Sequence, residues 1–173
     1  MKNYFRKYEA AQRRFQAQQQ AEDEKVSGKI DNKPKEEALP TTDLEFFKAE
    51  HAELVFYQES AIIQLRWKGF IETKNYKPIL DATLVMYEEK QARKILIDAT
   101  ELEAISNENQ EWTSTTWCRR LVSKGVEQLV CVLPKDMFGE LSLKYILEKC
   151  ESKYKIKIPI FPNTEEAIEW MTQ

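Results

Sequence analysis

Residues 94–106, KILIDATELEAIS, constrain the fold more tightly than any other stretch. Ile95, Leu96 and Ile97 form an unbroken apolar run that stops at Asp98. An apolar run without alternation fits a strand covered on both faces, and such strands lie in the middle of parallel sheets. The sequence predicts a strand over 95–97 ending at Asp98, a short polar turn, and a helix opening near Ser106. A serine hydroxyl there suits an N-cap, and Glu108 puts negative charge in the first turn, where the helix dipole favours it.

The other segments arrange themselves around that strand. Residues 53–58 and 61–67 read as two strands joined by the two-residue link Glu59-Ser60, an antiparallel hairpin. In the second, Ile63, Leu65 and Trp67 alternate with Gln64, Arg66 and Lys68, and Gly69 ends it. Residues 73–89 have helical periodicity at Tyr76, Leu80, Leu84 and Tyr87. Pro78 is tolerated in a first turn, so this helix is expected to start between Asn75 and Lys77. The helix from Ser106 runs to about Lys124 and stops at Gly125. Residues 127–133 are a second apolar strand, and Pro134 ends it. The following helix runs to about Tyr154 with Phe138, Leu141, Tyr145 and Leu147 or Glu148 along its length. Residues 155–161 alternate Ile156, Ile158 and Ile160 with Lys155, Lys157 and Pro159, and the proline makes this an edge strand. Asn163 caps a last helix over 164–171, with Ala167, Ile168 and Met171 inward. The resulting order is β-β-α-β-α-β-α-β-α, a mainly parallel α/β sheet covered by helices.

Before this domain lie two further segments. Residues 1–21 read as a separate amphipathic helix, with Tyr4, Tyr8, Ala11 and Phe15 at helical spacing and Lys2, Arg6, Lys7, Arg13 and Arg14 around them. It could pack on its own domain, on a partner, on a second copy or on a membrane surface. Residues 22–42 mix charges with Gly28, Pro34 and Pro40 and read as a flexible linker, leaving 43–173 as the folded domain. The segment 44–50, LEFFKAE, adds a short helix or an edge segment.

A net charge of −3 gives no argument for a nucleic-acid partner. No apolar run approaches the roughly 18 residues that cross a bilayer, and Lys2 is followed by aromatic, basic and Gln residues rather than a signal sequence. Cys118, Cys131 and Cys150 form no CxxC pair, so buried free thiols in a reducing cytoplasm are expected, with no zinc site and no disulfide framework. His51 is the lone histidine, with no metal-ligand spacing around it. GxGxxG, GxxxxGK[ST], GxSxG and HExxH are all absent, so neither an enzyme nor a cofactor is expected.

The element order, with the phrases IIQLRWKGF, KILIDATELEAIS, QEW, GVEQLVCVLP and FPNTEEAIEWM, resembles the SpoIIAA-like branch of the STAS-like proteins over roughly residues 50–171. The resemblance implies a STAS-like sheet with helices packed on it. It also implies a regulatory motif of the type Asp-Ser-Ser-Gly at the start of the helix after the central strand. That motif falls on Ser106, Asn107, Glu108 and Asn109, so Asn107 or Glu108 stands where a phosphoacceptor serine would be and the glycine is missing. Glu108 could mimic a phosphorylated residue or serve as a capping charge, and Ser106 and Thr100 remain modifiable hydroxyls.

The expected function is therefore a non-enzymatic regulatory or protein-interaction module, similar to anti-sigma-factor antagonists but without their phosphoacceptor. Its contact surface is expected at Asp98, Thr100, Ser106, Asn107, Glu108 and Trp112, with a protein partner or self-association. Asp98 lies where open α/β sheets bind ligands, and an outward tryptophan would be an anchor. The alternative is a carrier for an apolar small molecule or lipid.

Overall fold

A computed structural model describes residues 44–173. The helix expected over 1–21 and the linker over 22–42 lie outside these residues. Among the described residues six strands form one sheet in the order β1 to β6: β1 (Leu44–Ala49), β2 (Ala52–Tyr57), β3 (Ile62–Gly69), β4 (Lys94–Leu102), β5 (Gln128–Val132) and β6 (Ile160–Phe161). β2 runs antiparallel to both its neighbours, β1 and β3, and β3 to β6 are parallel. Four helices accompany the sheet: α1 (Thr73–Glu89), α2 (107–123), α3 (Met137–Tyr154) and α4 (Thr164–Thr172).

The topology follows from the connections. Three successive parallel crossovers advance in one direction along the sheet, and the right-handed preference puts all three helices on one face. The main core lies there. Leu54, Phe56, Ile63, Leu65, Ile95, Ile97 and Cys131 of the strands meet Leu80, Leu84, Trp117, Leu121, Ile146 and Leu147 of α1 to α3. A second, smaller core lies on the opposite face, where Ile62, Leu96, Val130 and Val132 meet Ala167 and Met171 of α4.

Of the two alternatives for residues 44–50, a short helix or an edge segment, the second holds: they supply the edge strand β1. Several expectations are corrected. The hairpin link is the four-residue turn 58–61, closed by the Ala61 N–H donating to Gln58 O, with Ala61 at φ 51°. Helix α1 begins at Thr73, so Pro78 falls in its second turn. The cost is limited because Lys74, whose carbonyl would have accepted the missing N–H, is exposed to water.

Strand β4 does not end at Asp98. It continues to Leu102 through a bulge, since Arg66 faces Asp98 and Lys68 faces Glu101. Two residues thus oppose Trp67, and the inward side switches from odd to even positions, which brings both Ala99 and Leu102 into the main core. Strand β6 is only two residues long, and Ile160 is exposed while Ile158 is buried. Cys118 and Cys150 form a disulfide across α2 and α3, which corrects the free-thiol reading for these two. Their separation of 32 residues gives no local signal. Cys131 stays a buried free thiol, its pKa pushed up to about 12 by burial.

Candidate functional site

The six residues expected at the contact surface divide between the two faces of the sheet. Asp98 points toward α4. Its Oδ1 accepts from the Thr100 N–H at 3.1 Å and the Thr100 hydroxyl at 2.7 Å. Its Oδ2 accepts from Gln64 Nε2 at 3.1 Å and the Thr164 hydroxyl at 2.6 Å. Gln64, fully buried, accepts in turn from the Tyr57 hydroxyl at 2.7 Å. Burial raises the Tyr57 phenol above its ordinary pKa, against the opposing pull of Arg66. Asp98 and Thr100 therefore hold the bulge of β4 and anchor the start of α4.

The other four candidates belong to α2, on the main-core face. Ser106 is the N-cap, and its hydroxyl accepts from the Asn109 N–H. Glu108 pairs with Lys77 of α1 at 2.6 Å, and the same ammonium lies 5.7 Å from the centre of the Trp112 ring. Trp112 is half-buried against the core edge, and Asn107 is exposed. These contacts tie α2 to α1, and the exposed Glu108 fills a first-turn position.

Residues that sequence reading missed lie nearby. Asn109 is fully buried, and neither side-chain polar atom has a hydrogen-bond partner among the described residues. Just beyond it α2 widens into a π turn over Thr113–Trp117. The hydroxyls of Thr113, Ser114 and Thr115 donate to the carbonyls of Asn109 and Glu111, in competition with the helix N–H groups. The four consecutive hydroxyl residues 113–116 are the signal that could have found it. The π turn borders a shallow open cleft of about 400 Å³ whose lining includes Glu111, Thr115, Tyr145, Glu148, Lys149 and Lys153. Lys149 spans the cleft by pairing with Glu111 at 2.7 Å.

Among the described residues the most exposed apolar side chains lie on α3, and here the expected stripe is turned outward. The helix buries Gly139, Leu143, Ile146, Leu147 and Cys150. Phe138, Leu141 and Tyr145 face solvent, with Met137 beside them; Met137, Phe138 and Leu141 are each more than 60 % exposed. Phe70 is also exposed. It follows Gly69, whose carbonyl accepts from the Glu103 N–H at 3.1 Å, while Gly139 of α3 packs against the Glu103 carbonyl. Phe70 and the start of α3 thus flank the same loop, at the C-terminal edge of the parallel strands.

No family model matches the sequence. No curated protein matches it either. A solved structure similar to this chain is an uncharacterized protein of the DUF3478 family, with a SpoIIAA-like fold, from Shewanella loihica PV-4. The two are 13 % identical, with a TM-score of 0.44, over 78 % of this chain and 99 % of the other. The α/β architecture rests on the strand order and the crossovers of this chain itself. Among the described residues no helix is long and apolar enough to cross a membrane, and no cluster of His, Cys, Asp and Glu is arranged to hold a metal.

Proposed function

We propose that the domain is a non-enzymatic protein-interaction module, regulatory in role, whose contact surface is the apolar edge formed by Phe70 and the outer face of α3. The observation that carries this reading is the exposure of Met137, Phe138 and Leu141 on one helix face. Large apolar groups clustered on a surface mark interaction sites more often than the same residues scattered singly. The polar groups expected to act are engaged within the fold: Asp98 accepts four hydrogen bonds, and Glu108 is paired with Lys77. The lipid-carrier alternative finds less support, because the cleft beside α3 is open to solvent rather than enclosed.

A photo-crosslinking residue at position 141 in the full chain tests the reading in the source cell. A discrete protein adduct is expected at 141 and not at Glu169, which is exposed on α4. No adduct at either position would overturn it. The cytoplasmic location expected from the sequence remains part of the proposal, and a Cys118–Cys150 bond trapped intact at cell lysis would argue against it.

A further inference from the structure

The geometry points to a second copy of this chain as the occupant of the α3 face, in an isologous two-fold dimer; this rests on the reading of that edge as an interaction surface. Met137 to Tyr145 spans about 12 Å of helix. Over that length Phe138, Leu141 and Tyr145 recur at steps of three and four, the spacing of a helix–helix contact.

The charges beside the stripe identify the partner. Glu140 and Lys144 bracket Leu141 on the same helix and pair with each other at 2.5 Å. An antiparallel copy crossing near Leu141 and Ser142 presents a lysine to each Glu140 and a glutamate to each Lys144. Further along, Glu148 and Lys149 again carry both signs. A patch of balanced charge offers no complement to a strongly acidic or basic partner, and it lacks the basic rim with which a helix holds an anionic membrane. It is complementary to itself, which a two-fold interface requires.

The size sets the class of contact. Four or five large side chains per copy cover less than the roughly 800 Å² per partner of a standard interface, so the dimer belongs with weak, transient contacts and is to be sought at ~10–100 µM chain.

Sedimentation velocity of the full chain across that concentration range tests the proposal. The unaltered chain should move from the monomer mass toward twice that mass. Leu141→Asp and Phe138→Glu should each remain monomeric, with circular dichroism unchanged because both sites are exposed. Glu169→Lys, a charge reversal at an exposed position on α4, should associate like the unaltered chain. A chain monomeric throughout, or a dimer that survives both α3 substitutions, overturns the proposal. A monomer that crosslinks at 141 to a different protein in the cell also overturns it while leaving the interaction reading intact. A dimer whose crosslink at 141 is to itself supports both.

Discussion

Asn109 and Asp98 are both polar residues near a strand end or helix start, and their surroundings give them opposite energetic signs. Asp98 accepts four hydrogen bonds within the fold, so its burial is compensated. Asn109 is fully buried with both amide atoms unpartnered among the described residues. A buried polar group left unsatisfied costs about 1–3 kcal/mol. Leucine is similar in reach, and the cap at this position uses the Asn109 backbone N–H, which leucine also supplies. Asn109→Leu is therefore expected to stabilise the domain by about 1–3 kcal/mol. Thermal unfolding would read this as a rise of several degrees in Tm. A fall in Tm would mean that the native protein satisfies the amide.

At the scale of elements, α3 shows where periodicity stops being informative. Its sequence carries two apolar stripes at helical spacing, Phe138-Leu141-Tyr145 and Leu143-Ile146-Leu147-Cys150, and either could face the core. Gly139 decides between them. A Cβ on it would sit 2.7 Å from the Leu102 carbonyl oxygen and 3.0 Å from that of Glu103. Both are backbone atoms of the β4 end and its loop and cannot swing aside. Gly→Ala inside a helix ordinarily stabilises by about 1 kcal/mol. Here the sign should reverse, with Gly139→Ala costing about 1–3 kcal/mol from overpacking. The expected reading is a lower urea midpoint at unchanged slope; an unchanged or higher midpoint would show that α3 can move away from β4. The same contrast explains what is legible in the sequence. Local signals mark Ser106 and Asn163 at helix starts, and both cap by accepting a backbone N–H. The two apolar runs pair as neighbouring parallel strands, as their lack of alternation implies. The bulge in β4, the orientation of α3 and the Cys118–Cys150 pairing depend on partners distant in sequence, and no local pattern encodes them. For the same reason the candidate residues from Asp98 to Trp112 can be placed in the chain from sequence but not assigned to a face.

The whole domain is unequal in its two faces. Three helices cover one side of the sheet, whereas α4 covers the other with a core of six buried residues. Few anchors hold α4. Thr164 donates to Asp98, the Lys94 ammonium donates to the Met171 carbonyl, and Trp170 packs on Phe161 at 5.6 Å. Met171 is the largest of α4's buried side chains and sits over Leu96 and Val130, strand residues that would otherwise face water. Met171→Ala should cost about 2–5 kcal/mol, the range for truncating a fully buried methionine. The loss should be uneven. Native-state hydrogen exchange should speed up first in α4 and the α4-facing parts of β4 and β5, because an element with few buried contacts opens below the global unfolding free energy. Amides of α1 and α3, which share the larger core and, for α3, the disulfide to α2, should keep their protection at the same denaturant concentration. Equal loss of protection in all four helices would make α4 part of a single cooperative unit. The small core would then carry as much of the fold's cohesion as the large one, despite the difference in buried area.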